Sequence, residues 1–128
     1  MNNCNEIAHY EFGSALSANC VLDAMNQLGP GKTEMEIGSS LKIWGQPNSV
    51  VSISAAGERF QDASLTGRKR IKTGDKLSLT TGFKGGLTSR SGYAVSCKEE
   101  LPEDSRGLSG TCGGPYYAAM AAWLEQIK

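Results

Sequence analysis

The sequence predicts an α+β fold: an antiparallel β-sheet meander of about five to six short strands, flanked by an N-terminal and a C-terminal α-helix packed on one face. Three observations predict it. Apolar residues recur at helical spacing near both ends, strand-type alternation fills the middle, and sixteen glycines, nearly twice the usual share, fall mostly between the apparent strands. At 128 residues the chain is expected to form one domain, 1–128, with a single core that buries roughly two thirds of the unfolded surface.

The central stretch 38–57 carries the strongest strand signal. Leu41 and Ile43 share one face of a strand, Gln46-Pro47-Asn48-Ser49 reverses the chain, and Val51, Ile53 and Ala55 share one face of the next. Ser52 and Ser54 fall on the opposite face, as in a sheet covered on one side only. The run LKIWGQPNSVVSISAAGERF resembles the first hairpin of bacterial Ig-like modules, where a strand, a Gly-Pro-containing turn and a Val-rich strand follow one another. That resemblance implies a β-sandwich; the two terminal helices depart from it, so the α+β reading is kept.

Residues 1–12 are polar and uneven and read as an extended lead-in. From Ser14 as N-cap, Ala18, Val21, Leu22, Met25 and Leu28 line one face of a helix that Gly29-Pro30-Gly31 stops. Glu34 to Ile37 opens a strand. Short strands follow at 59–61, 70–72 and 76–80, the last two separated by the turn Thr73-Gly74-Asp75. Residues 82–92 hold four glycines without apolar periodicity and read as a loop; Tyr93, Val95 and Cys97 alternate as a final strand. Residues 98–109 are charged and read as an exposed excursion. Pro115 then opens a helix with Tyr116, Met120, Trp123, Leu124 and Ile127 on its apolar face.

Thirteen basic residues balance thirteen acidic ones, so no global field draws nucleic acid or anionic lipid. The longest apolar run, 116–124, is nine residues, well short of the roughly twenty that a spanning helix needs, and no membrane span is expected. Cys4, Cys20, Cys97 and Cys112 form two sequence-local pairs without a C-x-x-C spacing, and His9 is the single histidine. Soft ligands are therefore scarce, and neither a metal nor a cofactor is expected. The pairing Cys4–Cys20 and Cys97–Cys112 would close two loops of about fifteen residues, each worth roughly 3 kcal/mol in the chain-entropy model. Such cross-links imply an oxidising compartment, hence a periplasmic or secreted protein whose leader has been removed. The alternative is a cytoplasmic chain with four free thiols.

Four constellations are candidate sites. Cys20 with His9 could serve a thiol hydrolase, although Cys20 lies inside the predicted helix and a disulfide would silence it. Arg68, Arg70 and Lys72 would share one strand face and could hold phosphates or a polyanion, or simply deter association at an edge strand. The glycine-rich run 107–114 ahead of a helix has an anion-binding layout but lacks the lysine of a phosphate-binding loop. Glu99, Glu100, Glu103 and Asp104 lack the regular spacing of a calcium loop. Residues of the two polar loops, Lys84, Arg90, Glu99, Glu100, Glu103, Asp104 and Arg106, are placed to contact a protein.

No convincing catalytic set emerges, and the sum of these signals points to a small, exported, non-enzymatic protein-binding domain: an inhibitor, immunity factor or accessory subunit of a bacterial envelope system. The alternatives are a cysteine hydrolase using Cys20 and His9, and a polyanion or nucleic-acid binder through 68–72. An edge strand at 68–72 would also give a route to a homodimer.

Overall fold

The computed structural model describes residues 2–42, 45–49, 52–60, 65–86, 89–101, 110–112 and 116–122, the last two ranges as backbone. It opens with a long helix, α1, spanning Cys4–Asn26. The expected lead-in is helical because Asn3 and Glu6 form a capping box: the Glu6 N–H donates to Asn3 Oδ1 at 3.0 Å and the Asn3 N–H donates to Glu6 Oε2 at 2.8 Å. The first turns stay exposed, whereas the second half buries Ser17, Cys20, Val21, Ala24 and Met25, close to the predicted face. The helix stops at Gln27, whose carbonyl accepts from Lys32 Nζ at 2.6 Å.

A second capping box, Thr33 with Glu36, starts the short helix α2, Glu34–Gly38, where a strand was expected. A 3-10 turn over Ser39–Leu41 follows, so Leu41 lies in a turn rather than in the first arm of the expected hairpin. Leu41 satisfies its apolar character by complete burial in the core instead, and its carbonyl accepts from Thr81 Oγ1 at 2.9 Å. Ile43 and Val51 lie outside the described residues. The segment around Pro47 pairs with the end of a later strand: Ser49 N–H donates to Gly82 O and Lys84 N–H to Pro47 O, both at 2.9 Å. Among the described residues of this run no Ig-like hairpin forms.

Among the described residues, five strands make one antiparallel sheet: β1 Ile53–Ala56, β2 Leu77–Gly82, β3 Ser89–Val95, β4 Gly110–Cys112 and β5 Tyr116–Ala122. Their order across the sheet is β1-β2-β3-β5-β4. The α+β class and the antiparallel sheet are as read from the sequence. β2 falls where Leu77 and Leu79 predict it, after the turn in which Asp75 N–H donates to Lys72 O at 3.1 Å.

Further assignments change. The expected loop 82–92 is strand at both ends, Gly82 closing β2 and β3 beginning at Ser89, with a turn at 84–86 between them; β2 and β3 pair from Leu77↔Ala94 to Gly82↔Ser89. It shows no apolar alternation because its helix-facing position is Gly92, where a Cβ would collide with Met25 Cε and sit 3.0 Å from Val21 Cγ1. Only glycine lets α1 lie that close to the sheet. The expected C-terminal helix is β5 over 116–122, paired with β3 from Arg90↔Ala122 to Val95↔Tyr117. The residues 123–127 of that expectation lie outside the described ones. Finally, residues 59–60 belong to a 3-10 turn, Gly57–Phe60, rather than a strand.

The core sits between the helices and one face of the sheet, joining Val21, Ala24, Met25, Leu28, Ile37 and Leu41 to Ala56, Ile71, Leu77, Leu79 and Ala94. Ser54, expected on a wet face, is fully buried against Gly38 of α2. Its N–H donates to Thr66 Oγ1 at 3.0 Å, and the Ala56 N–H donates to Glu34 Oε1 at 2.8 Å. The segment 68–72 is no free edge strand: it runs beside 31–34, with Glu34 N–H donating to Lys69 O at 2.9 Å and Ile71 N–H to Lys32 O at 2.8 Å. Among the described residues no helix is long and apolar enough to cross a membrane.

Candidate functional site

The strand pairing sorts side chains onto two faces. Leu77, Leu79 and Ala94 face α1, so Ser78, Thr80, Ser91 and Tyr93, paired as Ser78↔Tyr93 and Thr80↔Ser91, lie on the opposite face with Ile53. There the hydroxyls of Thr80 and Ser91 meet at 3.1 Å across the two central strands. Ser78 Oγ, one residue pair along, is buried without a hydrogen-bond partner among the described residues. The Tyr93 ring packs against Phe60 with centroids 5.6 Å apart, and Val95 with Leu101 backs it. The result is a floor of hydroxyls ending at an aromatic wall.

Such a floor offers neutral groups that both donate and accept, which suits uncharged polar partners such as peptide N–H and C=O groups. Aromatic rings beside it suit a compact apolar side chain. Among the described residues, no three or more of His, Cys, Asp and Glu gather where they could hold a metal ion. Sequence reasoning missed Thr80 and Ser91 because 82–92 was assigned to a loop. Residues 89–92, Ser-Arg-Ser-Gly, carry no apolar side chain, so no alternation marked them as a strand.

The cysteines do not cross-link as expected. Cys4 and Cys20 stand on one straight helix, sixteen positions and so about 24 Å apart along its axis, far beyond disulfide reach. Both are free, as is Cys97, which therefore has no bond to Cys112. Of Cys112 only the backbone, in β4, is described. The export expectation rested on those bridges. Nor do Cys20 and His9 form a catalytic pair, since eleven helical positions separate them by roughly 16 Å. Cys20 is buried beside Phe83 and Leu16, and burial, then the charge of Asp23, pushes its thiol pKa up, the reverse of an activated nucleophile. His9 is exposed and lies against the Phe83 ring at 5.3 Å.

The basic row also disperses. Arg70 donates to the Gly31 carbonyl, while Arg68 and Lys72 are exposed on a segment that is not a strand. Of the residues expected to contact a protein, Lys84 is exposed in the turn after β2, and Glu99 and Glu100 are exposed in a 3-10 turn over Lys98–Glu100. Arg90 is turned inward, its guanidinium donating to Ser14 Oγ of α1, because its register partner Thr81 faces the helix. Glu103, Asp104 and Arg106 lie outside the described residues. The run 107–114 is described only at 110–112, as the backbone of β4.

No protein-family model matches the chain, and no curated protein matches it. Solved structures do. Aminopeptidase PepP of Pseudomonas aeruginosa matches at a TM-score of 0.61 and 21% identity, over 72% of this chain and 22% of its own. Prolidase from Pyrococcus furiosus matches at 0.61 and 21%, over 73% of this chain and 31% of its own. Proline aminopeptidase P II from Yersinia pestis matches at 0.61 and 17%, over 72% and 22%. The fold is shared with these peptidases. This chain spans between about a fifth and a third of their length. The expectation of a non-enzymatic, disulfide-stabilised binding domain is corrected accordingly: the solved structures that share the fold are an aminopeptidase and a prolidase, and Cys4, Cys20 and Cys97 are free.

Proposed function

We propose that this chain forms part of a peptidase that acts on short proline-containing peptides. The observation that supports it is the likeness to proline aminopeptidase and prolidase structures over 72–73% of the chain. The face opposite α1 agrees with it. An extended peptide laid over β2 and β3 would meet the Thr80 and Ser91 hydroxyls with its backbone, and a pyrrolidine ring would find Phe60 and Tyr93 at one end. Hydroxyl groups of this kind bind and orient; they do not by themselves activate water. In this reading the activating groups come from outside the described residues.

The test is an assay of the purified chain with a tripeptide carrying proline at its second position and with a dipeptide ending in proline, product release being followed by mass spectrometry. Cleavage at the bond next to proline is expected, and Thr80→Val with Ser91→Ala should weaken peptide binding severalfold while the fold is kept. Absence of both cleavage and saturable peptide binding would overturn the assignment.

A further inference from the structure

The described strands carry almost no charge. Charged residues make up 20% of the chain, yet within the five strands Arg90 is the one residue ionised at neutral pH. It lies on the helix side of the sheet, where its guanidinium donates to Ser14 Oγ. The opposite face is therefore neutral at every position in these strands. An antiparallel sheet with one face toward water ordinarily places charged and polar side chains there.

This neutral face is wider than the Thr80 and Ser91 pair. The register extends it onto β1 through Ile53, and onto β5, where positions 119 and 121, both alanine, stand beside Tyr93 and Ser91. Toward the Phe60 and Tyr93 wall it becomes drier, since Ala55, Ser78 and Val95 are buried. A charged group set down there would give up water without gaining an opposite charge. Lys76 and Lys84, which flank β2 in sequence, are exposed in the segments outside its ends.

We propose that this face holds the uncharged interior of a peptide and does not read a charged terminus: its ligand is an extended, proline-containing segment with neutral flanking residues. The hydroxyls of Thr80 and Ser91 meet its backbone, and the aromatic wall meets the ring. The inference rests on the peptidase reading above and narrows it, because such a face accepts capped and internal sequences as readily as free ends.

Titration calorimetry of the full chain tests it with the tripeptide Ala-Pro-Ala, free and then acetylated at its N-terminus and amidated at its C-terminus. An extended tripeptide is only about 10 Å long, so both of its termini fall close to the floor. The capped form is expected to bind at least as tightly as the free one, with little change between low and high salt. Capped Asp-Pro-Asp should bind at least tenfold more weakly than capped Ala-Pro-Ala. Thr80→Val with Ser91→Ala should weaken the capped and free forms by the same factor.

If the free form binds more than threefold tighter, or affinity falls steeply with salt, a charged group such as Lys76 or Lys84 reaches the ligand; the inference is then overturned and the peptidase reading stands. Equal binding of the aspartate peptide, or an unchanged affinity in the double variant, overturns it too. Absence of saturable binding of either form to a protein with a native circular-dichroism spectrum removes the inference, and a blank cleavage assay beside it removes the peptidase reading as well.

Discussion

The buried carboxylate of Glu34 accepts from the guanidinium of Arg59 at 2.5 Å. The same carboxylate takes the Gly67 N–H on Oε2 and the Ala56 N–H on Oε1, each at 2.8 Å, while Arg59 Nη2 donates to Leu65 O at 2.5 Å. One side chain thus ties α2 to β1, to the 3-10 turn at 57–60 and to the loop at 65–67. A buried charge is tolerable when its oxygens are filled in this way. Removing it strands three donors, so Glu34→Ala should lower stability by about 3–5 kcal/mol in urea unfolding. Arg59 is about a third exposed, and Arg59→Ala should cost less. Equal, small losses from both would show that the cluster is not a structural tie.

Gly92→Ala should lower stability by about 1–3 kcal/mol, because the added methyl meets Met25 and Val21 in a packed contact. The Met25 end can move, so the loss should shrink when Gly92→Ala is combined with a shorter residue at Met25. Double-mutant cycles by urea unfolding measure that coupling. Strict additivity would place the two residues out of contact.

Acid should weaken the start of α2. The Thr33 backbone N–H, then its hydroxyl, holds the Glu36 carboxyl below its usual pKa, with Arg70 and Lys32 adding to the effect. A carboxyl depressed in the folded state contributes its stabilisation in full above its unfolded pKa, and the contribution is lost as pH falls through the folded one. Glu36→Gln keeps the capping hydrogen bonds but cannot titrate. Its urea midpoint should therefore fall less steeply than that of the parent below about pH 4. Parallel acid limbs would remove Glu36 from the account.

Thiol chemistry should separate the cysteines. Cys4 and Cys97 are exposed, whereas Cys20 is buried with its pKa raised. Iodoacetamide at neutral pH, followed by peptide mapping, should alkylate Cys4 and Cys97 quickly and Cys20 only on unfolding. Rapid labelling of Cys20 in the native protein would contradict its placement.

What the sequence disclosed depended on whether local and tertiary forces agreed. The apolar face of Val21, Met25 and Leu28 and the alternation of Leu77 and Leu79 were legible because burial and periodicity coincide there. Two helix starts were legible and overlooked, since Asn3 with Glu6 and Thr33 with Glu36 have the spacing of a capping box. The segment 116–122 was ambiguous in kind: Tyr116 and Met120 fit a helical repeat, yet Ala118, Met120 and Ala122 also fit a period of two. Pairing with β3, which lies far off in sequence, decides it. The hydroxyl pair Thr80 and Ser91 belongs to the same class, because it exists only once two strands are in register.

The outward amides of β1 have one more consequence. With Ser54 N–H given to Thr66 and Ala56 N–H to Glu34, that flank presents a foreign chain with no vacant donors at these two positions. Templated stacking of one molecule on another is thereby obstructed on this flank, so the carboxylate that knits the fold also acts as a guard against fibril growth.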